Sequence, residues 1–159
     1  MGFGTAIWTC FRKFFTYRGR APRSEYWSFL LFAVLSALAV SSAEFAAGYG
    51  NGGGSLGTLV AFVLFFPQVS AAVRRLHDSN RSGWWVGGFY LYVFAALNIG
   101  LMVVFGPAGR GTPAPWGEIV PDALLGGVVL FAILMVVLLA LKGTEGANKY
   151  GPDPVAGAV

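Results

Sequence analysis

Four long runs of this chain carry no charge. Residues 26–43, 45–73, 82–109 and 123–141 contain no Asp, Glu, Lys or Arg over 18, 29, 28 and 19 positions. A bilayer core of about 30 Å is crossed by roughly 20 helical residues at about 1.5 Å rise each. Inside lipid every backbone N–H and C=O must be satisfied within the protein, which leaves helices or closed barrels. The runs show no alternation of apolar and polar residues, so they read as helices. The expected fold is all-α: an integral membrane four-helix bundle, with spans near 26–47, 56–75, 84–105 and 122–141, and a cytoplasmic tail over 142–159. By length, 1–159 is one membrane domain. Composition excludes the competing classes. Only 11% of residues are charged, against about 25% in a soluble domain. With 16% aromatics the chain is not disordered, and its single cysteine, Cys10, cannot pair within the chain.

The breaks between runs follow turn chemistry. Positions 48–57 read GYGNGGGSLG, too flexible for a helix interior. Positions 78–83 read DSNRSG, a turn rich in capping side chains. The segment 106–121 holds Pro107, Pro113, Pro115 and Pro121 and reads as loop. Pro67 falls inside the second span, where a kink is tolerated. Ten of the eleven basic residues lie in the N-terminal segment, the 74–83 loop and the tail. The positive-inside rule places these three, and both termini, in the cytoplasm. That face then sums to +6 and the opposite one to −2. Ser41-Ser42-Ala43 has the look of a signal-peptide cleavage site, but the 25 aromatic-rich residues ahead of the first span argue for an uncleaved helix.

The first 25 residues carry a further element. Ile7, Trp8, Phe11, Phe14 and Phe15 share one arc of a helical wheel, opposite Thr9, Arg12 and Lys13. This predicts a short amphipathic helix at the membrane interface, over about 5–16.

The densest polar cluster is Arg74-Arg75-Leu76-His77-Asp78-Ser79-Asn80-Arg81-Ser82-Gly83-Trp84-Trp85. One histidine in the whole chain argues against a metal centre at His77, Asp78 and Glu25, and no metal or cofactor is expected. His77-Asp78 as an acid–base pair lacks an identifiable nucleophile or substrate site, so no catalytic residue is assigned. A helix terminus accounts for the cations, which suit its negative end. Asn80-Arg81-Ser82 is a sequon in a cytoplasmic loop, and the G-x-G-x-x-G at 48–53 has no βαβ context. The basic pI follows from positive-inside loops and gives no reason to expect nucleic acid. Gly83, Gly87 and Gly88, with Gly126 and Gly127, offer small surfaces for helix packing. Gln68 and Asn98 are amides at membrane depth that bond across helices or line a path.

Three segments together resemble one family. They are Gly19-Arg20-Ala21 with Arg23, Glu25, Tyr26 and Trp27; Arg74-Arg75-Leu76-His77-Asp78 followed by Arg81-Ser82-Gly83-Trp84-Trp85; and Gly143-Thr144 with Gly146, Asn148 and Tyr150-Gly151-Pro152-Asp153-Pro154. In this order they resemble the bacterial small inner-membrane proteins grouped as domain of unknown function 805. The resemblance implies a multi-span bacterial inner-membrane protein and carries over no catalytic residues. The Gly-rich first outer loop and Pro-rich second one depart from the family pattern and leave it intact.

All three segments fall on the expected cytoplasmic face, which predicts that they assemble there. Glu25, His77, Asp78, Asn148, Tyr150 and Asp153 are expected to form a structural polar cluster, with the acids paired to arginines and the tail covering the middle loop. Arg20, Arg23, Arg74, Arg75, Arg81, Lys142 and Lys149 are the expected face for anionic lipid headgroups or a partner protein. The leading functional expectation is thus a non-enzymatic membrane module. A small oligomeric transporter or channel subunit using Gln68 and Asn98 is the alternative, and an enzyme using His77 and Asp78 the remote one.

Overall fold

The charge-free runs form helices. This computed structural model describes residues 1–49, 56–105 and 114–156. Among them are α1 (Phe3–Arg12), α2 (Arg23–Glu44), α3 (Leu56–Asp78), α4 (Trp84–Phe105) and α5 (Ala114–Ala140), with no strand. Four segments, Arg23–Tyr49, Leu56–Asp78, Trp84–Phe105 and Ile119–Ala140, are long and apolar enough to cross a membrane. Most of the Gly-rich stretch, 50–55, and the start of the Pro-bearing one, 106–113, lie outside the described residues, as do tail residues 157–159. The helix expected over 5–16 is Phe3–Arg12. The loop expected through Pro121 ends earlier, because α5 starts at Ala114 and runs through that proline. A proline inside a membrane helix frees one carbonyl a turn earlier, which local adjustment can satisfy.

The chain divides into two compact units, one of Met1–Ser82 with Lys142–Val159 and one of Gly83–Leu141. In the first, α2 packs on both α1 and α3, and α3 is the most buried of the three. Its buried residues gather in its C-terminal half, where small Ser70, Ala71 and Ala72 admit close neighbours. α1 packs by Ala6 and Cys10, four residues apart and both buried. Phe11 adds edge contacts to Phe29 at 5.5 Å and Phe32 at 6.0 Å. The expected aromatic arc is therefore split, for Trp8 is 64% exposed while Phe11 packs inward. Phe14 and Phe15 dock on Phe66 of α3, at 6.4 and 6.0 Å. At the far end of α2, the Glu44 carboxylate accepts the Leu56 and Gly57 N–H groups at 2.7 and 3.1 Å. It thereby caps the positive end of α3.

In the second unit, α4 and α5 pack through aromatic rings. Phe131 of α5 meets Trp85, Phe89 and Tyr92, with centroids 6.4, 5.4 and 6.1 Å away. These three lie at i, i+4 and i+7 on one stripe of α4. Gly127 gives the Tyr92 ring its room, since a Cβ there would lie 2.9 Å from Tyr92 Cζ.

Candidate functional site

The last turn of α3 is where polar segments distant in sequence meet. A helix end leaves carbonyls without intrahelical partners. Leu76 O accepts N–H groups from Arg81 at 2.9 Å and Ser79 at 3.1 Å, and His77 O accepts that of Asn80 at 3.0 Å. Asn80 is left-handed, with φ 58°, so this is a Schellman-type stop with Asn in place of Gly. The tail satisfies the remainder. Asn148 Nδ2 donates to His77 O at 2.9 Å. Thr144 donates to Asp78 O twice, from its N–H at 2.8 Å and its hydroxyl at 3.1 Å. From the other side Ala21 N–H donates to Arg74 O at 3.0 Å, and the Ser70 hydroxyl reaches the Lys13 and Thr16 carbonyls at 2.9 and 2.8 Å.

Two buried ionic centres sit inside this frame. Among the described residues Arg74 and Arg75 are the largest fully buried side chains. In the first centre Asp78 is shared: Oδ1 takes Arg20, with Nε and Nη2 both at 2.9 Å, and Oδ2 takes Arg75. Two cations on one carboxylate leave an excess positive charge, which is costly away from water. The tail's carbonyls offset it. Arg20 donates to Thr144 O and Gly146 O at 2.5 Å each, and to Gly151 O at 3.4 Å. Each of the three guanidinium nitrogens of Arg20 thus has an acceptor. Gly143 lets the tail pass this closely, since a Cβ on it would lie 2.7 Å from Asp78 Cγ.

The second centre is Arg74 with Glu25, paired through Arg74 Nη1. Arg74 Nε and Nη2 have no hydrogen-bond partner. Cys10 Sγ lies 3.8 Å from Glu25 Oε1. Burial, with the negative charge of Glu25 beside it, pushes this thiol up to about 12, so it stays protonated and unreactive.

His77 and Asp78 do not form an acid–base pair. Neighbours in a helix point about 100° apart, and here they serve different partners. Both Asp78 oxygens are held by arginines. His77 Nδ1 lies 3.2 Å from Gly19 O, so Nδ1 carries a proton. The imidazole stacks on Tyr150, with centroids 3.8 Å apart and rings 5° from parallel. Lys149 Nζ sits 4.9 Å from the same Tyr150 ring. Asn148 Oδ1 accepts the Tyr150 N–H at 2.9 Å. Asp153 caps the tail's own turns, accepting Gly146 N–H at 3.1 Å and Val155 N–H at 2.9 Å.

The seven cations read together from the sequence thus separate into two sets. Arg20, Arg74 and Arg75 are buried in ion pairs, which withdraws them from any lipid face. Arg23, Arg81, Lys142 and Lys149 remain exposed. Of these, Arg23 and Lys142 line a cleft of about 390 Å³, together with Ser24, Asp78, Glu145 and Asp153. Lys142 Nζ is bonded to Glu145 at 2.6 Å across solvent. Among the described residues neither membrane amide makes a bond across helices: Asn98 donates to Phe94 O of its own helix at 2.7 Å, and the Gln68 amide is buried without a partner. Ser70 and Cys10 carry no motif signal for this site, whereas Thr144 stands in the third of the family segments. The four-residue spacing from Ala6 could have marked Cys10. Among the described residues no group of three or more His, Cys, Asp or Glu side chains is placed to hold a metal ion.

These features define a class, a multi-span helical membrane protein with a polar, ion-paired knot where three segments join. The chain belongs to the family described as protein of unknown function (DUF805), which matches residues 14–152. It is 26% identical over 145 residues to inner membrane protein YhaH of Escherichia coli (strain K12), covering 90% of each chain. It is 27% identical over 147 residues to inner membrane protein YhaI of that strain, covering 92% of each. It is 28% identical over 143 residues to the protein YiiR, covering 87% of this chain and 86% of that one. No solved structure matches.

Proposed function

We propose that this protein is a non-enzymatic inner-membrane module that binds the phosphate of lipid headgroups at the cleft beside Asp78, on the cytoplasmic side. The observation that carries this reading is a cleft lined by two exposed cations, Arg23 and Lys142, at whose base the Asp78 carboxylate is already taken up by arginines. Asp78 is shared by Arg20 and Arg75, and Arg23 lines the cleft beside it. Phosphate suits such a place, since guanidinium and ammonium groups bind it by charge-assisted hydrogen bonds. The cleft opens where α2 begins, at a span end, and that is headgroup depth. The cytoplasmic orientation of this end, and of both termini, rests on the ten basic residues gathered there.

Native mass spectrometry of detergent-purified protein with a mixture of phosphatidylglycerol and phosphatidylethanolamine tests the reading. The Arg23→Gln, Lys142→Gln double variant is expected to retain markedly less phospholipid than wild type at unchanged thermal stability. Equal retention overturns the reading. Reporter fusions near residue 52 and at the C-terminus test the orientation, and a cytoplasmic signal from the first overturns it.

A further inference from the structure

We infer that the cleft takes an amine-bearing phosphate headgroup, of the phosphoethanolamine class, in preference to a headgroup whose only charge is the phosphate. This rests on the phosphate reading above and adds the second half of the ligand. The reason is the sign of the rim. Two cations line the cleft, Arg23 and Lys142, but so do Glu145 and Asp153. Asp78 is committed to Arg20 and Arg75, which leaves Glu145 and Asp153, among the described residues, as the carboxylates lining the cleft.

Both are held ionised. The Glu145 carboxyl is lowered below its ordinary value by the hydrogen bond and charge of Lys142. Asp153 is lowered by the Val155 N–H, with a further contribution from that of Gly146. Each carboxylate oxygen carries two acceptor positions. The bonds from Lys142, Val155 and Gly146 use one position apiece, so acceptor capacity remains for an ammonium group.

A guest bearing phosphate alone would bring its negative charge against these two carboxylates. A zwitterion places phosphate toward Arg23 and ammonium toward Glu145 and Asp153, so the like-charge contact becomes a favourable one. A quaternary ammonium is not served equally. It has no N–H to donate and is ordinarily recognised by aromatic rings, and none of the described residues lining the cleft is aromatic.

The test is competition on the purified full-length protein, read by native mass spectrometry. Equal amounts of phosphatidylethanolamine, phosphatidylglycerol and phosphatidylcholine are offered. The expected result is about threefold to fivefold more phosphatidylethanolamine than either other lipid, the effect of one ion pair at a solvent edge. The Glu145→Gln, Asp153→Asn double variant is expected to keep its phosphatidylglycerol and lose the preference. Equal retention of the first two lipids in wild type overturns the inference and leaves the phosphate reading standing. Retention of all three that is indifferent to Arg23→Gln, Lys142→Gln overturns the phosphate reading itself. Free O-phosphoethanolamine is titrated in parallel. If it displaces the lipid at micromolar concentration, the amine-phosphate chemistry is supported and its source is a solute. If it does not, the chemistry is supported with a lipid as the source.

Discussion

In the unit Gly83–Leu141, Phe131 lies among Trp85, Phe89 and Tyr92, and Gly127 admits the Tyr92 ring. In the unit built from Met1–Ser82 and the tail, the largest fully buried side chains are Arg74 and Arg75, each on a carboxylate. The difference reflects what each location offers. Within lipid, apolar surfaces gain little by leaving one apolar medium for another, so helices meet through shape and small residues. At a helix end there are orphan carbonyls and a returning tail, so charged donors can be saturated without water. The two strategies differ in what a single substitution costs. An aromatic pair contributes about 0.5–1.5 kcal/mol beyond its buried area. Removing one member of a buried ion pair costs about 3–5 kcal/mol, because the other charge is stranded.

The largest expected effect follows from Asp78→Asn, which removes the carboxylate charge shared by Arg20 and Arg75. Destabilisation of about 3–5 kcal/mol or more is expected, seen as loss of the monodisperse peak in fluorescence-detected size exclusion. A wild-type profile and melting temperature for this variant would break the comparison. Glu25→Gln comes next, since it strands Arg74 alone, by about 3 kcal/mol. Here the comparison can also be sharpened. Replacing the whole pair by apolar residues, Glu25→Leu with Arg74→Met, should recover most of the loss, because no charge is then left buried. Arg74 already has two donors without partners, so it has less to lose than Arg20. A double variant no better than Glu25→Gln would show that the centre contributes more than charge balance.

Phe131→Ala should cost less, about 1–2 kcal/mol. Its ring loses three aromatic neighbours, but the space opens to lipid rather than to a sealed cavity. A melt in the same detergent checks it, and a loss equal to that of Asp78→Asn would erase the distinction between the units.

The spans were legible because charge partition is a property of composition. A stretch such as 123–141 needs no knowledge of its neighbours to read as a membrane helix. The start of α5 was not legible, since Pro115 and Pro121 signal loop by local rules, while a membrane helix tolerates Pro121. The joining of three segments was readable as a group, from their common side and their family resemblance. The division of labour among the cations was not. Arg75 and Arg81 look alike in sequence, yet one is fully buried on Asp78 and the other exposed. Arg20 is withdrawn in the same way by backbone that arrives from the tail, the carbonyls of Thr144, Gly146 and Gly151, and no local pattern encodes that.

The smallest effect lies at the edge of the knot, where the tail is held by exposed groups. Asp153 accepts the Val155 and Gly146 N–H groups, and these bonds draw its carboxyl below the ordinary value. A carboxyl lowered in the folded state stabilises that state only while it is ionised. Its contribution is therefore complete above the unfolded value of about 3.9 and is lost as pH falls through the lower folded value. Hydrogen exchange at the Gly146 and Val155 amides reads this locally. Wild type should be more protected than Asp153→Asn near neutrality. The gap should close only below the unfolded carboxyl value, because a protonated Asp153 resembles the variant. The absence of any gap from pH 7 down to pH 2 would mean that the tail is held by the contacts of Arg20, Thr144, Asn148 and Tyr150 without the cap. The outer edge of the knot would then belong with its buried centre, with no separate contribution from the exposed cap.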